Sequence, residues 1–104
     1  MDFVFDINDK SGKKIHLSKE RWKHILTHPF MQNQLENIKL VIKSPLTIRY
    51  NDWDKNVRYF YKEFKENEVS EKYLLVSVKY LNGEGFVITS FFTNKITGLK
   101  WETK

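Results

Sequence analysis

The stretch KYLLVSVKYLNGEGFVITSFF, residues 72–92, decides the fold because two long apolar runs flank one turn signal. Valine, isoleucine, tyrosine and phenylalanine are frequent in both runs, and these residue types favour strands. The tetrapeptide NGEG between the runs is typical of a tight hairpin turn. The stretch therefore predicts two antiparallel strands, over residues 72–81 and 85–92.

The register of this hairpin determines which side chains share a face of the sheet. A two- or four-residue loop centred on Gly83 and Glu84 sets Val78 opposite Thr89. A five-residue loop sets Lys79 opposite Thr89 instead. The sequence permits both registers, so the face that carries Thr89 stays open at this point.

Strand signals also occur upstream of the hairpin. LTIRY (46–50) and VRYFYKEF (57–64) have the β-branched and aromatic composition of strands. FVFDI (3–7) alternates apolar residues with others, and KIHL (14–17) follows it after a turn that contains Gly12. These segments predict an N-terminal β-hairpin, followed later in the chain by two more strands that precede the long hairpin.

Two helices are predicted between the N-terminal hairpin and the later strands. Ser18 is a suitable N-cap for a helix over about 19–28, which ends near His28 because Pro29 follows. The segment 31–44 has apolar residues at helical spacing and also ends before a proline. The order of elements therefore separates helices from a later run of strands.

This order predicts an α+β fold, with an N-terminal β-hairpin and two helices packed on a four-stranded antiparallel sheet. A chain of 104 residues fits a single domain over 1–104. The charged loop over 65–71 is too short for a domain linker. The tail after the last long strand forms either a short strand or a docked extension.

Composition and charge limit the classes of function. The chain has no cysteine, which excludes disulfides and thiolate zinc sites. The net charge of +5 favours polyanionic partners such as nucleic acids. The N-terminus lacks the features of a signal peptide, and no apolar run approaches the length of a membrane span. We therefore expect a soluble cytoplasmic protein without a membrane partner.

The first predicted helix places three chemically active side chains on one arc. Its core-facing residues are Trp22, Ile25 and Leu26. Arg21, His24 and His28 fall together on the adjacent arc, at i, i+3 and i+7. A border position of this kind is partly desolvated and still reachable, which suits a catalytic group.

This set of side chains fits RNA cleavage without a metal. One histidine takes the proton of the ribose 2′-OH, a second group protonates the leaving 5′-oxygen, and arginine stabilises the charged phosphorane. Two other interpretations exist. Such residues also occur by chance beside a core stripe, and His24 and His28 could bind zinc with His16. No acidic residue or cysteine with suitable spacing completes a metal site, so we expect neither a metal nor a cofactor.

The predicted strands add further polar and aromatic side chains. They are Arg58, Tyr59, Tyr61, Lys62, Lys79, Thr89 and Ser90. VRYFYK interleaves aromatics with cations, a pattern that can stack bases and hold phosphates. The same pattern also follows from the strand propensity of tyrosine and the solubilising effect of lysine. The hydroxyls of Thr89 and Ser90 interrupt an apolar run, so each needs a hydrogen-bond partner or a function.

The chain contains, in order, the segments IHLSKERWKHILTHPFM, VIKSPLTI, VRYFYKEF and YLLVSVKYLNGEGFVITSFF. Over about residues 15–93 this pattern resembles the phage- and mobile-element-associated branch of the barnase–EndoU–colicin–RelE-like (BECR) nucleases. The resemblance implies a metal-independent ribonuclease, often a toxin paired with an antitoxin or immunity protein. The positions that match the family pattern are Arg21, His24, His28, a tyrosine at 59 or 61, and Thr89.

We therefore predict a metal-independent endoribonuclease that cleaves RNA by attack of the 2′-OH. The predicted catalytic residues are Arg21, His24, His28, Tyr61 and Thr89. The predicted substrate-binding residues are Arg58, Tyr59, Lys62 and Lys79. The predicted partners are RNA and a cognate antitoxin or immunity protein. The alternative is a non-enzymatic module that uses the same basic face to bind nucleic acid or a partner protein.

Overall fold

The computed structural model describes residues 3–64 and 70–100. In chain order the elements are β1 (Phe3–Asn8), β2 (Lys14–Ser18), α1 (Lys19–Ile25), α2 (Leu35–Lys43), β3 (Thr47–Tyr50), β4 (Val57–Glu63), β5 (Tyr73–Leu81), β6 (Glu84–Thr93) and β7 (Leu99–Lys100). Neither helix in these ranges is long and apolar enough to cross a membrane. Most of the predicted charged loop, residues 65–69, lies outside the described residues.

The strands form one mixed sheet in the order β1-β2-β6-β5-β4-β3-β7. Every neighbouring pair is antiparallel except β2 and β6, which are parallel. The α+β class agrees with the sequence prediction, but the predicted four-stranded antiparallel sheet is wrong. The N-terminal hairpin extends the sheet at β6, and the tail adds the two-residue β7 beside β3.

The hairpin joins the sheet where β6 begins. Ile15 lies opposite Gly85, and His16 lies opposite Phe86. A Cβ atom at Gly85 would overlap the side chain of Ile15, so glycine lets the two strands approach. Sequence reasoning missed this pairing because a parallel contact between distant segments leaves no local turn signal.

The turn between β5 and β6 has two residues, the shortest of the predicted loop lengths. Leu81 pairs with Glu84, so only Asn82 and Gly83 form the loop. Both have positive φ, 54° and 82°, as a type I′ hairpin turn requires. The turn is therefore centred one residue earlier than the sequence analysis placed it.

A bulge in β6 then sets Thr89 opposite Ser77. The pairing shifts by one residue between Ser77 and Val78, and Ile88 is left without a partner. Both predicted registers, with Val78 or Lys79 opposite Thr89, are wrong. Counted from the register that sets Val78 opposite Thr89, the early turn alone would move the partner of Thr89 two residues back to Val76. The bulge then moves it forward by one residue, to Ser77.

The first helix starts as predicted but is shorter. The Ser18 hydroxyl accepts a hydrogen bond from the Arg21 N–H at 3.1 Å, which confirms the N-cap. The regular helix ends at Ile25. The chain continues to His28 as a tight turn, in which the His28 N–H donates to the Ile25 carbonyl. Pro29 restricts the backbone of His28, so the chain cannot continue as a helix beyond this turn.

The hydrophobic core lies between the helices and one face of the sheet, called here the first face. Buried strand residues on this face are Phe60, Leu74, Val76, Val78 and Val87. From α2, Ile38, Val41 and Ile42 pack against them, at the predicted helical spacing. The helix starts at Leu35, later than the predicted residue 31.

The contribution of α1 to the core differs in part from the prediction. Ile25 is buried and Trp22 is half-buried against the core. Leu26, which was predicted to face the core, is exposed. Leu26 keeps a helical backbone, and its N–H donates to the Trp22 carbonyl at 2.9 Å, so its exposure does not come from a loss of helical geometry.

Asp9 anchors the β1–β2 turn to the sheet. Its Oδ2 accepts a hydrogen bond from the Tyr80 hydroxyl at 2.7 Å, and its Oδ1 accepts from the Ser11 hydroxyl and the Lys13 N–H. Burial alone would raise the pKa of Asp9, but these hydrogen bonds outweigh burial and hold its pKa below the ordinary 3.8. Burial and the bond to Asp9 raise the pKa of Tyr80, which stays a protonated donor.

Candidate functional site

The central contact of the candidate site joins the end of the first helical segment to the last long strand. The His28 Nε2 lies 3.3 Å from the Thr89 Oγ1. The imidazole also packs beside the Phe91 ring, with centroids 5.5 Å apart. Because β2 pairs with β6 only at Gly85 and Phe86, α1 can pack beside the later part of β6. Both His28 and Thr89 are half-buried, so the contact is held by packing and still reachable.

His24 extends this contact toward solvent. Its ring meets the His28 ring edge to face, with centroids 5.4 Å apart. Arg21 is exposed one turn earlier on α1. The structure thus brings the two predicted histidines and Thr89 together, and it leaves Arg21 at the solvent side of the group.

A row of polar side chains leads away from Thr89 across the sheet. Arg49 pairs with Tyr59, Tyr59 with Ser77, and Ser77 with Thr89. Directly opposite residues share a face, so these four side chains lie on the side away from the core, called here the second face. We call Arg49, Tyr59, Ser77 and Thr89 the polar row. It crosses four strands and has the histidines at one end.

Ser77 is the most buried residue of the polar row. It is only 4% exposed, although it faces away from the core. Its neighbours in register, Tyr59 and Thr89, have larger side chains and are half-buried. Ser77 is therefore covered by its larger neighbours in the row.

The other end of the row is supported by the loop over 51–56. The Asn51 amide donates to the Tyr59 hydroxyl at 2.6 Å. The Asn51 Oδ1 accepts from the backbone N–H groups of Trp53 and Asp54, which fixes the loop backbone. The loop presents Trp53, which is 95% exposed. An ordered loop with an exposed indole thus borders the Tyr59 end of the row.

Sequence reasoning missed Arg49 and Ser77. Arg49 is half-buried, and its Nε is buried with no hydrogen-bond partner among the described residues. The alternation within LTIRY shows which residues of that strand share a face with Arg49. It does not show whether Thr89, on another strand, lies on the same face. Only the cross-strand register aligns both residues with Thr89.

Tyr61, a predicted catalytic residue, lies on the second face but in the next row. It pairs with Leu75 and is only 1% exposed. Its hydroxyl accepts the Thr97 N–H at 3.1 Å. The tail crosses the sheet here before β7, and Gly98 packs over Arg49 and Tyr59. The tail therefore covers Tyr61 and also packs against the Tyr59–Arg49 end of the polar row.

The predicted substrate-binding cations are divided between the two faces. Lys79 lies on the second face and pairs with Asp54 at 2.9 Å, and this hydrogen bond lowers the pKa of Asp54. Arg58 and Lys62 lie on the first face, opposite Val78 and Leu74. The pleat of β4 therefore separates the cations of VRYFYK from its tyrosines.

Both first-face cations have structural contacts. The Lys62 Nζ donates to the Ser44 carbonyl at 2.9 Å, at the end of α2. The Arg58 guanidinium lies over the Tyr80 ring, 4.4 Å from its centroid. On the same face, the buried Ser90 hydroxyl donates to the Leu75 carbonyl at 2.6 Å. The Ser90 hydroxyl therefore has a structural partner, while the Thr89 hydroxyl faces His28.

The three histidines do not converge on one point. His16 is buried between the rings of Phe3 and Phe86, and its Nε2 lies 2.6 Å from the Glu84 Oε1. Across residues 3–64 and 70–100, no three histidine, aspartate or glutamate side chains are grouped as metal ligands. These partners hold His16, and the structure does not bring it together with His24 and His28 as a third zinc ligand.

No protein-family model, curated protein or solved structure matches this chain. The resemblance to BECR nucleases therefore stays a prediction. A functional proposal for this chain therefore rests on the arrangement of the two histidines, Thr89 and the polar row.

Proposed function

We propose that this protein is a metal-independent endoribonuclease of the BECR type, with its active site where α1 meets β6. The observation that carries the proposal is the pair of imidazoles, His24 and His28, beside the Thr89 hydroxyl. Two adjacent imidazoles are suited to a reaction that needs one proton acceptor and one proton donor near neutral pH.

The reaction transfers two protons around one phosphorus. One imidazole accepts the proton of the ribose 2′-OH while the 2′-oxygen bonds to the adjacent phosphorus. The other imidazole gives a proton to the 5′-oxygen as its bond to phosphorus breaks. The products are a 2′,3′-cyclic phosphate and a 5′-hydroxyl. We assign the acceptor role to His28, because Thr89 and Phe91 hold its ring, and the donor role to the exposed His24.

Positive charge supports the phosphate during this step. Arg21 lies one turn before His24 on α1, where its side chain can reach a phosphate bound beside the two imidazoles. Its charge is permanent, so it stabilises the phosphorane without a proton transfer. The net charge of +5 adds a general attraction for RNA.

The proposal includes a partner and a compartment. If the protein is a toxin, its inhibitor must cover the histidine pair and the polar row. An antitoxin or immunity protein with an acidic surface would suit the exposed Arg21 and His24 at this place. We place the activity in the cytoplasm, because that is where cellular RNA is translated.

The test is cleavage of total RNA and tRNA in the presence of a chelator. We expect wild-type protein to cleave, and His28→Gln to lower the rate by about 10²–10⁴-fold with RNA affinity nearly unchanged. His16→Gln is the matched control, since it makes the same substitution away from the site. Its rate per folded molecule should equal that of the wild type.

Two outcomes would reject the proposal. Loss of cleavage with chelator, restored by magnesium or zinc, would replace the mechanism with a metal-dependent one. RNA binding without cleavage, unchanged by His28→Gln, would favour the non-enzymatic binding module.

A further inference from the structure

We propose that Phe30 is a substrate-binding residue, and that its ring stacks on an unpaired base next to the phosphate cleaved at His28. This inference rests on the proposed function, because it takes the two imidazoles as the cleavage point. It adds a binding residue outside the catalytic group and the class of RNA that the site accepts. Phe30 was not among the site residues predicted from the sequence.

The backbone of Phe30 has a conformation that bulky residues rarely adopt. Its φ is 67°, in the left-handed region, where the Cβ atom of an L-residue is crowded. Pro29 precedes it, and a proline followed by a residue with positive φ is typical of a type II turn, which favours glycine at the second position. A phenylalanine at this position therefore carries a conformational cost that glycine would not.

The hydrophobic core does not enclose the Phe30 ring. Phe30 is 63% exposed, whereas Ile25 before it and Met31 after it are fully buried. These two residues anchor the segment that carries His28, and most of the Phe30 side chain faces solvent. Burial of the ring therefore offsets little of the conformational cost. A backbone outlier of this kind, beside a candidate active site, supports a role in binding.

Phe30 lies close to the proposed cleavage point. Successive Cα atoms are about 3.8 Å apart, so the Cα atoms of His28 and Phe30 are separated by less than about 7.6 Å. Thr89 and Phe91 hold the His28 ring, and Pro29 restricts the backbone between His28 and Phe30. The bases on the two sides of a cleaved phosphate lie within one nucleotide of it. The Phe30 ring can therefore contact one of them while the phosphate is bound at His28.

The chemistry of the Phe30 ring favours a base that is free of pairing. The flat face of an aromatic side chain stacks on the flat face of any base. In a duplex each base is paired and stacked between its neighbours, so its face is not available to a side chain. Phenylalanine has no hydrogen-bonding group in its side chain, so this contact does not select one base. We therefore expect cleavage in loops and single strands.

The experiment measures kcat/KM on a single-stranded DNA oligonucleotide that contains one ribose. Cleavage needs the 2′-OH, so it takes place only at the phosphate beside this ribose. Two further substrates keep the same sugars and lack the base on the 5′ or the 3′ side of that phosphate. A fourth substrate is a duplex with the same single ribose.

The variants change the ring and the backbone separately. Phe30→Gly removes the ring and suits the positive φ, and Phe30→Tyr keeps an aromatic ring. Asn82→Gly is the matched control, since Asn82 is the other non-glycine residue with a positive φ among the described residues. Thermal unfolding of each variant checks that it is folded.

We expect Phe30→Gly to lower kcat/KM by about tenfold, mainly through a higher KM. Removal of one of the two bases should lower kcat/KM of the wild type by the same factor. That removal should leave Phe30→Gly unchanged, because the ring and the base are partners in one contact. Phe30→Tyr and Asn82→Gly should behave like the wild type, and the duplex should be cleaved more slowly than the single strand.

Three results would overturn the inference. The first is a kcat/KM of Phe30→Gly equal to that of the wild type. The second is a loss in Phe30→Gly that keeps the same size when either base is removed. The third is an equal loss in Asn82→Gly. If the wild type cleaves RNA in any of these cases, the nuclease proposal stands and the contact with the base does not.

A different result would separate the two proposals in the other direction. The wild type would cleave no substrate but bind single-stranded RNA, and Phe30→Gly would weaken this binding by about tenfold while Asn82→Gly would not. The aromatic contact would then be correct and the nuclease proposal wrong. Absence of both cleavage and binding would reject both.

Discussion

His16 and His28 both contact β6, but the strand holds the two imidazoles in different environments. His16 is buried between two phenylalanine rings and bonded to Glu84 at 2.6 Å. His28 is half-buried and meets Thr89 at 3.3 Å. The first contact is short and its imidazole is buried, so it stabilises the fold. The second is longer, and its imidazole is only half-buried and can be reached from solvent.

The difference between the two histidines extends to the regions around them. The β1–β2 hairpin near His16 is fastened by Asp9, which accepts hydrogen bonds from Ser11, Lys13 and Tyr80. The region near His28 joins a short helix, a tight turn and a bulged strand. Bulges are frequent next to active sites, where they redirect a side chain. The bulge in β6 has that effect on Thr89.

The largest expected effect on stability tests this contrast directly. His16→Ala removes two ring contacts and a hydrogen bond, and we expect a loss of about 2–4 kcal/mol in the free energy of unfolding. His28→Ala should cost less than about 1 kcal/mol, since its site is open. Urea denaturation measures both values. Equal costs would remove the distinction between the two histidines.

A smaller effect is expected at two neighbouring hydroxyls of β6. Thr89→Val should slow RNA cleavage by about tenfold, the value of roughly one hydrogen bond to His28, with little change in stability. Ser90→Ala should lower stability by about 1–2 kcal/mol, because it removes a buried bond to Leu75, and leave the rate per folded molecule unchanged. Single-turnover kinetics and denaturation separate the two. If Ser90→Ala slowed cleavage and Thr89→Val lowered only the stability, the active site would lie on the first face.

The smallest effect concerns acid stability in the hairpin region. Asp9 has a lowered pKa in the folded protein, so its carboxylate stabilises the fold at pH values above the ordinary 3.8. This contribution is lost as the pH falls through the lower folded-state pKa. Asp9→Asn should therefore be less stable than the wild type near pH 6, and the gap should close below about pH 3.8.

Unfolding curves at pH 6, 4 and 3 measure this gap. A gap that widens toward low pH would mean that the folded state does not lower the pKa of Asp9. Asp6→Asn makes the same substitution at an exposed position of β1 and is the control.

Much of the fold was predictable because its signals are local. The turn residues Asn82 and Gly83, the N-cap Ser18 and Pro29 each act through backbone groups a few positions away in the chain. The N-terminal hairpin, both helices and the long β5–β6 hairpin were predicted on this basis, and their bounds differ from the structure by a few residues. Of the candidate site, the helix pattern predicted Arg21, His24 and His28 together, and Thr89 and Tyr61 were predicted with them as catalytic residues. The structure brings the histidines to Thr89 and places Tyr61 under the tail.

Only the tertiary structure decided how these elements combine. The parallel pairing of β2 with β6 depends on the space left by Gly85, which no neighbour in the chain reveals. The bulge at Ile88 sets Thr89 opposite Ser77, and the register of two more strands adds Tyr59 and Arg49. One residue of slip would move every side chain of a strand to the other face. The sequence alone therefore determined which chemical groups the protein has, and the long-range strand register determined which of them lie on one surface.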